Sequence, residues 1–474
     1  TTLIQYATIG GGVNNQVTGT TGVVGGGLAN EAGNNYTTVG GGAGNVASGI
    51  YSTVGGGTNI TASGERATVS GGSSNLATGR AASVGGGEGN QASERGGTVG
   101  GGWNNRVFSV LGTIAGGGRS NLNDGATGNR VTDNYGTIGG GGNNQAGNGE
   151  SLITDAQGAT IAGGLNNLAD AAQSTVGGGN GNSASGGNAT VAGGASNNAL
   201  ASGATVGGGG SNLADETNAT VAGGLQNQAN GEYSTVGGGI QNQANGSGAV
   251  AGGGSNNAVD GWYATIPGGA NNSAASNFSF AAGRRAKVDA AHTGAFLYAD
   301  GNDFDFNSAA NHEFAVRAIG GVRFVSAIDG TGTPTAGVEL PSGSGTWASL
   351  SDRNAKENFV PVDGVDVLEA VAAMEISAWN YKTQDEQIRH IGPMAQDFYA
   401  AFGVGEDEKR ISTVDADGVA LAAIQGLKHI ADKKDARIAE LERRIAELEK
   451  LVALLASKNG GGVGMVSDKA ASAE

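Results

Sequence analysis

Cysteine is absent from the 474 residues, which excludes disulfide staples and thiolate metal sites. Proline is scarce, at 5 residues, so collagen, with glycine at every third position and abundant proline, is excluded as well. Cationic side chains are few: 26 Lys and Arg stand against 42 Asp and Glu, a net charge of −16. That balance argues against nucleic acid or an anionic membrane surface as the main partner. No stretch approaches the roughly 18 apolar residues of a membrane span, and no membrane insertion is expected. No signal-peptide pattern follows Thr1. What is abundant is glycine, at 93 residues, beside 38% hydrophobic residues that recur at fixed intervals, which a flexible Gly/Ser linker does not show.

The glycine is unevenly placed. Residues 1–350 hold 83 glycines and 31 charged side chains, whereas 351–474 hold 10 and 37. The chain changes character near Ser351.

Within the first part a motif of Thr or Ser, then Val or Ile, then two or three Gly keeps returning. Its apolar member falls at Ile9, Val24, Val39, Val54, Val69, Val84, Val99 and Ile114, then from Ile138 and Ile161 to Val236, Val250 and Ile266. Most steps are 15 residues; two are 24 and 23, and the last two are 14 and 16. Eight residues further on comes Ala32, Ala47, Ala62, Ala77 and Ala92, and later Ala184 to Ala244, with Asn15, Asn30, Asn45, Asn75, Asn90 and Asn105 between. A fixed period of this length is the signature of a solenoid. The expected fold is mainly β, two short strands and two turns per coil, with Val/Ile and Ala inward and Thr outward. The Gly runs and Asn residues are expected to supply positive φ at the turns. Fifteen residues bury no core alone, so coils must stack; about 18 of them make a rod of about 80 Å. The long steps place insertions at Asn123–Thr132 and Asn148–Gln157, expected to loop out from one face as neutral growth or as binding surface.

The repeats, for example Ala219–Ala229 (ATVAGGLQNQA), resemble the head repeats of YadA-type trimeric adhesins, a left-handed parallel β-roll. The likeness covers roughly residues 3–283 and implies a homotrimer. The membrane-anchoring β-barrel segment of those adhesins has no counterpart in this sequence.

Other glycine-rich readings fail. Calcium-binding nonapeptide repeats need a recurring Asp that is missing here. No phosphate-binding G-x-x-x-x-G-K-[ST] occurs, and His312-Glu313 lacks the second His of a zinc helix. No cofactor and no metal are expected. The outward Thr column (Thr38, Thr53, Thr68, Thr98) reads as a β-branched solvent face or a flat ligand ladder.

After Gly283 the period is lost. Residues 284–350 read as a neck of short strands, with a hairpin turning at Gly320-Gly321 and a linker over 329–346. Ser351-Asp-Arg-Asn-Ala-Lys356 opens the second part, followed by an amphipathic helix over Val367–Met374, then Trp379-Asn-Tyr381, His390–Gln396 and Asp415–Leu421. This order resembles the endosialidase-type intramolecular chaperone, the auto-processing C-terminal domain of phage tail spikes and fibres. The likeness covers essentially 349–456. It implies a domain that trimerises, assists folding of the preceding β-structure and then cuts itself off. The family's Ser–Lys dyad maps onto Ser351 and Lys356.

The chemistry can also be argued from the residues. A serine hydroxyl is a poor nucleophile until a base removes its proton, and a lysine serves only when burial or a nearby cation favours its neutral form. Ser351 is expected to attack the carbonyl of Leu350 with Lys356 as base, cutting the Leu350–Ser351 bond. His390 is a candidate helper or a satisfied structural histidine; Asp352 is expected to cap or orient.

Residues 351–423 are read as the chaperone, 424–456 as a coiled coil and 457–474 as a disordered tail. The heptad pairs are Ile424/Leu427, Ala431/Lys434, Ile438/Leu441, Ile445/Leu448 and Val452/Leu455. Ile at a and Leu at d favour two strands on packing rules alone. The runs Arg437–Glu442 and Arg444–Glu449 resemble the trimeric coiled-coil pattern, and both likenesses demand three chains. The expected whole is an extracellular homotrimeric fibre, as a particle fibre that contacts a cell-surface glycan or protein. The alternatives are a secreted surface or matrix protein with an uncleaved clamp, and a glycan-degrading tailspike. The last is weakest, because the repeats carry few carboxylates on fixed columns.

Overall fold

The computed structural model describes residues 5–121 and 127–459, and the chain divides into two units between Ile319 and Gly320. The first unit is a long parallel β-solenoid of about twenty turns. One ladder of twenty strands carries the Thr-Val pairs, in the register Val39↔Val54 and Thr38↔Thr53. A second carries the Ala column, as in Ala47↔Ala62. A third, which the sequence did not disclose, consists of single-residue bridges running Val13, Leu28, Ala43, Thr58, Ser73, Glu88 and Trp103, and resuming from Gly118 to Arg284.

Three inward columns fill the coils. Val24, Val39 and Val54 form one, and Ala32, Ala47 and Ala62 another. The third holds small residues two positions before the valine: Thr37, Ser52, Ala67 and Ala82, all buried. A buried Val contributes about 1.5–3 kcal/mol, so stability accumulates through stacking rather than within any coil. Glycine is required where coils approach most closely. Gly42 adopts φ +94°, and a Cβ there would lie 2.0 Å from the carbonyl oxygen of Gly57 on the next coil.

The recurring Asn column has a different role from the one its spacing suggested. Positive φ falls on Asn14, Asn59 and Asn104, while Asn30, Asn45 and Asn105 are buried. The buried carboxamides tie each coil to the next. Asn45 Nδ2 donates to the carbonyls of Gly41 (2.8 Å) and Gly57 (2.9 Å), and its Oδ1 accepts the N–H of Ile60 at 3.0 Å. Buried backbone groups at the turns must be paired, and this ladder pairs them.

Three positional expectations are corrected. The apparent steps of 14 and 16 do not exist: Val236 pairs with Ala251, which is fully buried, and Val250 faces outward. Ladder hydrogen bonds, not local hydrophobicity, set the register there. The first insertion overlaps Asn123–Thr132 but starts and ends earlier, between the ladder positions Gly118 and Asn129, because Arg130–Val131 is already back in a strand. Residues 122–126 of it lie outside the described residues. The solenoid also does not end at Gly283. Phe280–Gly283, Phe296–Ala299 and Phe314–Arg317 continue the first ladder in parallel, and their outward phenylalanines stack at 4.4 and 4.8 Å between ring centres. Glycine runs vanish here, but strand pairing persists. The second insertion, at 148–157, covers the buried Asp133, whose carboxylate accepts the N–H of Asn148 at 3.0 Å and the hydroxyl of Thr132 at 3.0 Å.

The second unit begins with an antiparallel hairpin of Gly321–Ile328 and Pro334–Pro341, turning at Asp329–Thr333 instead of at Gly320-Gly321. Thus much of the segment read as linker is strand. A short strand, Ala348–Ser349, adds to Pro334–Pro341 as a third member. Helix α1 (Gly364–Ala373) is capped by the side chain of Asp363, and α2 is Ala395–Phe402. Helix α3 runs continuously over Thr413–Asn459, started by Ser412, whose hydroxyl accepts the N–H of Asp415. It contains the heptad segment and the first three residues of the expected tail; 460–474 lie outside the described residues.

Candidate functional site

The candidate nucleophile follows directly on the edge strand Ala348–Ser349. Leu350 extends the pairing by one hydrogen bond, its N–H donating to the Gly337 carbonyl at 3.0 Å. The chain then leaves the sheet and tightens into a single 3-10 turn, Arg353–Ala355. Asp352 starts that turn, its carboxylate accepting the N–H of Asn354 at 2.9 Å. Lys356 ends it in extended conformation, with the Arg353 guanidinium lying over the Phe359 ring at 5.0 Å. One short turn therefore folds a five-residue spacing back on itself. The Lys356 ammonium donates to the Ser351 hydroxyl, with Nζ 2.5 Å from Oγ, and both residues are exposed in the single chain. An amine within hydrogen-bond reach of a serine oxygen is the geometry general-base activation requires.

His390 has partners of its own. It pairs with Trp379 across the two short strands Ser377–Trp379 and His390–Gly392, and its Nε2 is 3.0 Å from Gln384 Oε1. The rings of Trp379 and Tyr381 lie 4.9 and 5.7 Å from the imidazole. The chain's own His390 makes no hydrogen bond to Ser351 or Lys356. These partners fit the structural alternative, and the reason is local: the strand pairing fixes the ring against two aromatics.

Sequence reasoning missed the hairpin that holds the segment before Ser351. Its signal was present in the alternation Val322, Phe324 and Val338, Leu340, but the glycines and threonines at the turn resembled linker. Among the described residues no three side chains of metal-ligating type converge, and no helix is long and apolar enough to cross a membrane.

Comparison with known families fixes the character of this region. Residues 351–404 match the family Chaperone of endosialidase. That family comprises autoproteolytic intramolecular chaperone domains, and the matched segment opens at Ser351 and contains Lys356 and His390. A chaperone-of-endosialidase-like segment behind a long β-solenoid is the arrangement of a tail-fibre-like or spike-like protein. No curated protein matches the chain.

Proposed function

We propose that the chain is one protomer of a homotrimeric extracellular fibre of phage-tail type. Its YadA-like rod is the binding body, and its C-terminal region is a trimerising chaperone that removes itself by cutting Leu350–Ser351. The observation that carries this reading is the Lys356–Ser351 contact, made where the family match begins and where the preceding sheet ends.

In the proposed reaction Lys356, as the free amine, takes the hydroxyl proton of Ser351, and Oγ bonds to the carbonyl carbon of Leu350. The Leu350–Ser351 peptide bond breaks, and the proton passes to the departing Ser351 nitrogen. Water then hydrolyses the ester, leaving a Leu350 carboxylate on the rod and freeing Ser351 as a new amino terminus. Burial favours the neutral form of a lysine, and in the single chain Lys356 is open to water. We therefore assign the covering of the dyad to neighbouring protomers, which would tie cleavage to assembly. His390, bonded to Gln384 in the single chain, is the candidate helper for the proton transfer.

Helix α3 supports trimerisation, because its heptad positions Ile438, Leu441, Ile445 and Leu448 are 40–59% exposed and form an apolar seam without a partner in the single chain. Slow, non-local β-rod folding benefits from a clamp that raises effective concentration and sets register. Cleavage then makes the assembled rod kinetically stable. Exposed Tyr36, Tyr51, Tyr233, Tyr263 and Phe278 on the rod surface favour a glycan or protein ligand on a cell surface. The test is sedimentation equilibrium on full-length Ser351→Ala, expected as a trimer, beside Ser351→Ala with Ile445→Glu, expected as a monomer. A monomeric Ser351→Ala chain would remove the trimeric reading.

A further inference from the structure

Resting on the self-cleavage reading, we infer that the hairpin before the matched family segment is the substrate-positioning element of the reaction, with Trp347 as its anchor. Extended peptides bind proteins by joining a sheet edge, where backbone hydrogen bonds hold them and side chains set their register. Residues 348–350 are held in this manner by their own chain. Ser349 pairs with Val338 and Ala348 with Glu339, and the Leu350 N–H donates to Gly337 at 3.0 Å.

The pairing stops at that bond. The Leu350 carbonyl, which the reaction attacks, accepts no hydrogen bond among the described residues. The reason lies in the central strand. Gly337 adopts φ +149°, and a Cβ on it would lie 2.2 Å from the Phe324 carbonyl oxygen. The adjacent register is irregular between Val325 and Ala327. A bulge bends a strand; here the hairpin pairing resumes at Ala327 and Ala336, and the bend lies beside Leu350. At the other end Trp347 packs on Phe324, with ring centres 5.7 Å apart. A groove of about 440 Å³ runs between, lined by Phe324, Val325, Val338 and Leu350, and reaches Ser351. Anchor, paired strand and bulge together fix how far Leu350 projects towards Ser351. Misplacement by about 1 Å is enough to slow a positioned reaction on the order of a hundredfold. After cleavage, 348–350 remain paired as the last strand of the rod product.

The test follows cleavage of the full chain by intact mass over time. Trp347→Ala is expected to slow it at least tenfold, while Trp347→Phe restores it, with solenoid melting and oligomeric state unchanged in both. One Ala inserted between Ser349 and Leu350 shifts the register and is expected to abolish cleavage at the Leu350–Ser351 bond. One Gly inserted in the Gly343–Gly345 turn, before the anchor, is expected to leave the rate unchanged. In uncleaved Ser351→Ala the Leu350 amide is expected to resist hydrogen exchange, and Trp347→Ala to remove that protection. Wild-type rates in both the Trp347→Ala and the register variant would overturn the inference while leaving self-cleavage standing. An unprotected Leu350 amide would overturn it through the strand itself. A wild type that never cleaves removes the self-cleavage reading and this inference together.

Discussion

Asn45 and Ile60 occupy the same position in successive coils, and the Asn45 carboxamide oxygen accepts the Ile60 N–H at 3.0 Å. The amide ladder that links the turns passes from Asn30 to Asn45 and stops there, because isoleucine carries no group to hand it on. It resumes at Asn75, whose oxygen accepts the N–H of Asn90 at 2.9 Å. The ladder is thus a polar seam inside an otherwise apolar and glycine-walled rod, interrupted at Ile60 and again after Asn105, whose Oδ1 has no partner among the described residues.

Removing a rung elsewhere measures its worth. Asn212 donates to Gly208 (2.8 Å) and Gly224 (2.9 Å) and accepts from the Asn227 N–H (2.9 Å). Asn212→Ala leaves the Asn227 N–H unpaired and takes a donor from each of two carbonyls, at roughly 1–3 kcal/mol for each buried group left unsatisfied. Faster hydrogen exchange is expected in the coils around 197–227, with distant coils unaffected. Unchanged exchange there would mean the ladder contributes nothing.

Acid should loosen the last coil of the solenoid before the rest. Backbone N–H donation from Ile319, the Asn302 amide and the partly buried Arg317 guanidinium hold the Asp300 carboxyl at about 2. A folded value below the ordinary one contributes stability that is full above about pH 4 and is lost as pH falls through about 2. Hydrogen exchange over 296–317 should therefore rise between about pH 4 and pH 2, and Asp300→Asn should flatten that response.

The contact of α1 with α3 depends on two glycines. A Cβ on Gly426 would lie 2.0 Å from the Gly364 carbonyl oxygen. Gly426→Ala gains about 1 kcal/mol of helix propensity but forces the helices apart. The expected net is destabilisation of the chaperone unit by about 1–3 kcal/mol, seen as a lower Tm for its helical signal. A raised Tm would show that the helices can separate at no cost.

Lys356→Arg preserves charge and donors, but a guanidinium does not release its proton at neutral pH. The side chain is exposed in the single chain, so folding should survive while self-cleavage falls by about 10²–10⁴-fold. Cleavage at the wild-type rate would remove Lys356 as the base.

The solenoid was legible in the sequence because stacking repeats the same columns. Val39, Ala47 and Asn30 each meet their own kind fifteen residues later, so the period is the structure. Its last coils were not legible, since Phe296 and Phe314 continue the ladder without the glycine signature. Val250 misled for a related reason: hydrophobicity marked it as core, whereas the ladder register buries Ala251. At the candidate site, Ser351 and Lys356 could be paired from sequence because a local turn joins them. The place of His390 depends on a strand pairing with Trp379, and the hold on Leu350 on a hairpin whose nearer strand lies nine to sixteen residues upstream; neither is written in spacing.

The central claim is that the chain cuts itself at one bond, and intact mass with a denaturing gel tests it most directly. Freshly folded wild type is compared with Ser351→Ala. The expected result is that wild type yields two fragments, 1–350 and 351–474, while Ser351→Ala stays whole. A folded trimeric wild type that also stays whole would contradict the account and leave the C-terminal region as a permanent clamp.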